Sequence, residues 1–431
     1  MIELSEKIFK KELNNGLMVT LIEKKDYKKV SAAFTTKFGG SYQKIKVSEK
    51  EYSLPLGVAH FLEHKLFASD DGEDITYQFE NIGLEVNAYT DYYNTTYYFS
   101  GSQNIFKGIE LLLDFVQKPY FTTENVESEK GIIEQELLMY QDIPDEALSF
   151  GLMNNMYHKF PYIYDVGGTV EDVYKIDKDI LYFCYDLFYH PKNMEFVIVG
   201  DLDPNEVFNF IEDNQSKKTF KEFQNPQLVI DSESDNIVKN YDSKKMDVIN
   251  QKVAVGFKLP MRKESIKHNQ LLVEDLYYRI IKNILFGGHT NFHQKLLDDK
   301  LITSPLASNY SGDDYAQYFS LIAETNNVDK FIKKIKNRLN DLKRLKFSQK
   351  EVNRIKKDLI GKFIISFNSV SAIMGDYLES IARNYDYLDF INIVNSINID
   401  DLKEKGKTLL NLPMSVFVIE PNKKQWNDFI V

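Results

Sequence analysis

The chain has one cysteine, one tryptophan and no long hydrophobic run. A single thiol, Cys184, rules out a disulfide within the chain and fits a reducing compartment. It sits in the aromatic run 181–189 and reads as core packing. No apolar stretch approaches the ~20 residues that cross a bilayer. The first residues, Met1-Ile2-Glu3-Leu4-Ser5-Glu6-Lys7, carry neither the apolar run of a signal peptide nor the acid-poor, Arg-rich character of a transit peptide, so the expected location is cytoplasmic. Basic residues are in deficit too: 53 Lys and Arg against 64 Asp and Glu give a formal net charge of -11, which argues against a general nucleic-acid binder. The one Lys-rich stretch, 330–346, carries Ile332, Ile335, Leu339 and Leu342 at helical spacing and reads as a solvated helix face.

Against these absences, 43% hydrophobic residues with 27 Tyr and 30 Phe describe a folded protein, and 431 residues exceed one ordinary domain. Leu13-Asn14-Asn15-Gly16-Leu17 marks a hairpin near the start. β-Branched and aromatic runs at 31–38, 86–100 and 196–199 read as strands, and periodicity predicts helices near 57–68, 104–117, 125–141 and 170–188. After a polar stretch the pattern resumes, with a strand at 253–257 and helices at 271–286, 328–345 and 350–365. The expected division is a first domain over 1–213, a linker over 214–244 and a second domain over 245–431. Phe121-Thr122-Thr123-Glu124-Asn125-Val126 and Phe347-Ser348-Gln349-Lys350-Glu351-Val352 open matching helices 226 residues apart, the mark of a duplicated unit. Each copy is expected to be α+β, an antiparallel sheet with helices on one side.

The chemistry concentrates in His60-Phe61-Leu62-Glu63-His64. At about 100° per residue His60, Glu63 and His64 share one helix face, with Val58, Phe61, Leu62 and Leu66 opposite. A hydrolytic zinc site takes three protein ligands and leaves one position open, so two histidines need a partner. The helix 125–141 offers it: Glu129 and Glu136 lie within an apolar stripe of Val126, Ile132, Ile133, Leu137 and Tyr140, whereas Glu127 and Glu134 point away. A carboxylate in such a stripe is costly unless paired or metal-bound, and a buried salt bridge is the competing reading. The offset of 226 carries Glu129 onto Ile355 and Glu136 onto Lys362, so a metal site belongs to the first half.

These residues resemble the M16 (pitrilysin or inverzincin) zinc metallopeptidases, most of all the small bacterial YmfH-like members. The resemblance rests on Gly57-Val58-Ala59-His60-Phe61-Leu62-Glu63-His64, on Gly83-Leu84-Glu85-Val86-Asn87-Ala88-Tyr89-Thr90, and on Glu129-Lys130 followed by Glu136. It implies an M16/LuxS-like fold of two homologous domains, with one Zn2+ per chain bound by His60, His64 and Glu136. Glu63 is then the catalytic base, with Glu129 assisting from behind the ligands. Asn87, Ala88, Tyr89 and Thr90 become the strand that binds the peptide, although core packing competes as the role of the tyrosines around it. The implied activity is an endopeptidase acting on short unfolded peptides inside a chamber closed by two chains, identical or paralogous.

One departure stands out. Where the family carries an Arg and a Tyr in its second domain to hold substrate, this chain has Leu297 and Ser304, with Lys300 and Tyr310 nearby. Two rival readings remain: a non-catalytic, peptide-binding scaffold subunit, which has no need of Glu63, and a structural zinc protein, whose site normally closes with four ligands. His289 and His293 imitate a metal pair but have no acid between them, and Gly39-Gly40, Gly167-Gly168 and Gly287-Gly288 read as turns.

Overall fold

The computed structural model describes residues 6–68, 75–264, 266–344 and 347–422; residues 1–5, and Leu345 and Lys346 of the expected helix and Lys-rich stretch, lie outside them. The fold is α+β, built as two compact units.

The first unit holds a six-stranded sheet in the order Lys7–Glu12, Met18–Glu23, Met194–Gly200, Val30–Thr36, Thr95–Gly101, Glu85–Thr90. Every neighbouring pair is antiparallel except Met18–Glu23 with Met194–Gly200. Gly16, at φ 87°, closes the expected hairpin, in a conformation only glycine reaches without steric cost. Alternation decides the faces: Ala32, Phe34, Phe196 and Ile198 join the core beneath the helices, with the Phe34 and Phe196 rings 5.4 Å apart.

The second unit repeats the order. Its sheet runs Tyr241–Met246, Met414–Pro421, Gln251–Lys258, Gln317–Thr325, Ala307–Gly312, without a counterpart of Lys7–Glu12 and with one parallel pair, Tyr241–Met246 with Met414–Pro421, which matches Met18–Glu23 with Met194–Gly200. A shift of 222 residues carries Glu85–Thr90 onto Ala307–Gly312, and a shift of 226 carries Pro144–Met156 onto Val370–Ala382. The duplication read from one pair of helix starts extends to the sheets.

The units differ from a contiguous division in one respect. Pro144–Met156 belongs to the second unit, and Val370–Ala382 to the first. In the second unit Asn155 donates to the Val416 carbonyl at 3.0 Å, and a Cβ on Gly256 would lie 2.6 Å from Met156 Sδ, so helix and strand meet backbone to side chain. In the first unit the Ser31 and Ser371 hydroxyls bond at 3.1 Å and Thr20 lies 3.3 Å from the Tyr377 hydroxyl, which covers the sheet face opposite Phe34. Each half thus lends one helix to the other half's sheet.

Two local readings are corrected. The helix expected over 170–188 is two, Val170–Val173 and Lys178–Phe188, because the Asp177 carboxylate accepts from Ile180 N–H and starts a new helix there. Ile132, placed in the buried stripe, is 57% exposed; the buried row of Thr123–Gln141 is Val126, Lys130, Ile133 and Leu137. Lys130 takes the stem-buried place and reaches Glu127 at 2.7 Å.

Candidate active site

The motif helix is Val58–Leu66. Phe61 and Leu62 are wholly buried and anchor it, leaving His60, Glu63 and His64 on the partly open side. Its start is set by backbone contact: Gly57 has φ 82°, and a Cβ there would lie 2.1 Å from the Gly167 carbonyl oxygen, so the glycines read as ordinary turns lock the loop before the motif against the loop 167–168. Gly167 in turn faces His60, its hypothetical Cβ 3.2 Å from Nδ1. Gly57→Ala is therefore expected to destabilise the protein by about 2–3 kcal/mol through strain and collision together. Gly131→Ala, in a helix with no atom within 4 Å, should stabilise by about 0.5–1 kcal/mol. Thermal unfolding of the two variants checks this contrast.

The helix Thr123–Gln141 brings its acids to the histidines. Glu136 Oε2 lies 3.8 Å from His60 Nε2 and 3.5 Å from His64 Nε2. Among the described residues these three form the only group of three or more His, Cys, Asp or Glu side chains that could hold a metal, with one ligand atom of each within 4.8 Å of the others; His289 and His293 belong to no such group. A tetrahedral ion with bonds of about 2.0–2.1 Å spaces its ligand atoms roughly 3.4 Å apart, close to what the side chains already show. The donor set also fits zinc in kind: two imidazole nitrogens and one carboxylate leave room for water, and the ion pairs of Glu136 among the described residues are to imidazoles and to no lysine or arginine.

Glu129 backs this group. Its Oε1 is 3.1 Å from His64 Nδ1 and its Oε2 accepts from Lys65 Nζ at 3.0 Å. Burial works to raise the Glu129 carboxyl, but His64 and Lys65 outweigh it and hold it below the usual carboxylate range. Burial likewise would lower His64, yet its hydrogen bond to Glu129 and the charges of Glu129, Glu136 and Glu63 bring it above the ordinary histidine value. His60 is different: burial, with His64 beside it, pushes it down to about 3, so it stays neutral. Its Nδ1 is buried without a hydrogen-bond partner among the described residues.

Glu63 points toward the edge strand. Thr90 Oγ1 donates to Glu63 Oε2 at 2.5 Å, and burial raises the Glu63 carboxyl despite that bond. Of the residues expected to bind peptide, Thr90 thus holds Glu63, while Asn87 and Tyr89 are exposed and Ala88 half-buried on Glu85–Thr90, the outermost strand of its sheet. Tyr97, in contrast, is buried against Tyr189, their hydroxyls 2.8 Å apart, and serves packing. A cleft of about 990 Å³ opens beside Glu63, lined among others by Lys65, Phe67, Val86, Asn125 and Ile132. The exposure of Ile132 places it in this cleft.

Three contributors escaped the sequence: Lys65, the backing of Glu63 by Thr90, and the Gly57 to Gly167 contact. Lys65 had a signal, because it falls in the apolar row of Phe61, Leu62 and Leu66, where an unpaired ammonium is costly. In the second unit, Ser304 Oγ accepts from Glu324 N–H at 3.2 Å, and Tyr310 is buried with its hydroxyl on Gln317, so Tyr310 makes no exposed substitute for the family's tyrosine.

Comparison with known proteins identifies the family. Residues 46–169 match the family described as insulinase (peptidase family M16), and residues 175–359 match the peptidase M16 inactive domain. The uncharacterized zinc protease YmfH of Bacillus subtilis is 32% identical over 407 residues, covering 93% of each chain; a second protein of that organism, the uncharacterized zinc protease YmxG, is 23% identical across 85% of this chain and 88% of its own. Among solved structures, an M16-like peptidase from Alicyclobacillus acidocaldarius matches with a TM-score of 0.92 and 31% identity over 98% of this chain and 100% of that one. A Helicobacter pylori protease shares the fold at a TM-score of 0.82 and 21% identity, over 96% and 100%. With two M16 family models matched along one chain and a relative 32% identical over 93% of it, the protein belongs to peptidase family M16.

Proposed function

We propose that the chain is a zinc-dependent endopeptidase that hydrolyses short, unfolded peptides. The observation that carries this reading is the meeting of His60, His64 and Glu136 with Glu63 placed beside them on the same helix face. His60, His64 and Glu136 would hold one zinc per chain, which supplies a more acidic water and polarisation of the scissile carbonyl. Glu63 accepts the proton of the attacking water and returns it to the leaving amine, and the Thr90 hydroxyl keeps its carboxylate in place. Glu129 accepts from His64 Nδ1–H and fixes the ring so that Nε2 faces Glu136.

Asn87, Ala88, Tyr89 and Thr90 would receive the substrate as an added strand on the edge of the sheet. Main-chain pairing binds an extended peptide without demanding a sequence, which suits a chain whose Leu297 and Ser304 lack the guanidinium and phenol of the family's clamp. A folded protein has no free extended segment to offer. Two chains, either two copies or this one with a paralogue, would enclose the chamber that limits substrates to short peptides, and the cytoplasm is the proposed location. The relatives' description as zinc proteases supports the same reading.

The test is incubation of the purified protein, alone and with any co-purifying chain, with a library of unstructured peptides read by mass spectrometry. Cleavage that a chelator stops and stoichiometric zinc restores is the expected result. Bound zinc without cleavage under either condition would instead mark a scaffold subunit.

A further inference from the structure

Lys65 follows the second histidine of the motif directly and is turned to the core side of the helix. Its side chain is 5% exposed, and its ammonium lies 3.0 Å from Glu129 Oε2. The other oxygen of the same carboxylate, Oε1, lies 3.1 Å from His64 Nδ1. Glu129 therefore bridges two consecutive residues of one helix, a cation at one oxygen and an imidazole at the other. A carboxylate held at a single oxygen can swing about its terminal bond; one held at both cannot.

We propose that Lys65 is a positioning residue of the metal site: by pinning Glu129 it fixes the carboxylate as acceptor for His64 Nδ1–H and so keeps His64 Nε2 turned toward Glu136. The inference rests on the zinc reading above. It differs from a plain buried ion pair in what fails when it is broken. An ion pair of structural value only, once removed, lowers the melting temperature and leaves the folded protein's affinity for zinc unchanged. A positioning pair lowers the affinity itself, because His64 then samples orientations and tautomers that cannot ligate.

The experiment is a zinc titration against a chromophoric chelator with wild type, Lys65→Met, Lys65→Arg, Glu129→Gln and the double variant Lys65→Met/Glu129→Gln. Methionine keeps an unbranched apolar stem in the buried channel. Zinc affinity is expected to fall about tenfold or more in Lys65→Met, within the range seen when groups behind a ligand are removed. Glu129→Gln should fall at least as far, the double variant should bind no more weakly than Glu129→Gln alone, and Lys65→Arg should recover most of the affinity. An unchanged affinity in Lys65→Met, or losses that multiply in the double variant, would overturn the proposal.

A second readout needs no zinc. In the metal-free protein, at a pH high enough for the ring to be neutral, the nitrogen spectrum of His64 should show a protonated, hydrogen-bonded Nδ1 in the wild type and a mixture of tautomers in Lys65→Met, or in Lys65→Gln should the methionine variant not fold. The same Nδ1 signal in wild type and variant contradicts the proposal. A wild type that binds no zinc but shows the expected His64 contrast would instead sink the zinc reading and leave the Lys65 to Glu129 to His64 relay standing.

Discussion

Glu63→Gln is expected to lower kcat/KM for peptide cleavage by about a thousandfold or more while the zinc content stays at one per chain. The glutamine amide fits the same space and can still accept the Thr90 hydroxyl, so neither the helix nor the ligands have reason to move. What is lost is the ability to take a proton. A drop in both zinc and activity would mean that Glu63 maintains the metal site, a role different from that of the base.

On the proposed mechanism the same carboxylate sets the acid side of the pH profile. Burial raises Glu63 above its ordinary value, and the Thr90 hydroxyl, which bonds the charged form, lowers it part of the way back. Glu63 works as a base only when ionised, so activity is lost as pH falls through that raised value. Thr90→Val removes the donor, which raises the carboxyl further and shifts the acid limb to higher pH. A limb that stays put or moves down would show that Thr90 does not serve Glu63.

The second large effect is expected at Glu136. Glu136→Gln replaces the sole anionic ligand of the proposed zinc site by a neutral amide, and zinc affinity should fall by more than the roughly hundredfold that marks the loss of a supporting group. Stability gives an independent reading. A ligand bound only by the folded state adds about 2.7 kcal/mol when its free concentration is a hundred times its Kd. Chelation should therefore lower the melting temperature of the wild type and leave that of Glu136→Gln unmoved. Acid should act in the same direction, since a proton on His64 competes with zinc. His64 has the raised value and His60 is pushed down to about 3, so His64 is expected to be the first of the two to charge as pH falls.

The residues that meet in the site were legible from spacing because the helix period fixes them: His60, Glu63 and His64 share a face whatever the tertiary structure, and two acids seven residues apart share another. Which sheet a helix covers is a different kind of fact. Pro144–Met156 and Val370–Ala382 each bury apolar residues, and no local pattern records that each belongs to the other half's unit. Ile132 failed for a related reason, since hydrophobicity does not distinguish a core position from the wall of a cleft. Lys65 was passed over because a lysine is read as surface by default, although its place in an apolar row already required a partner. The Gly57 to Gly167 contact joins loops more than a hundred residues apart, and such an approach leaves no mark on either loop's own sequence.

The most direct test of the zinc site is anomalous diffraction across the zinc edge on crystals of the protein as purified. One anomalous peak per chain, coordinated by His60 Nε2, His64 Nε2 and the Glu136 carboxylate with an open position facing Glu63, is the expected result. No zinc at these side chains after stoichiometric loading, or zinc bound elsewhere on the chain, would contradict it.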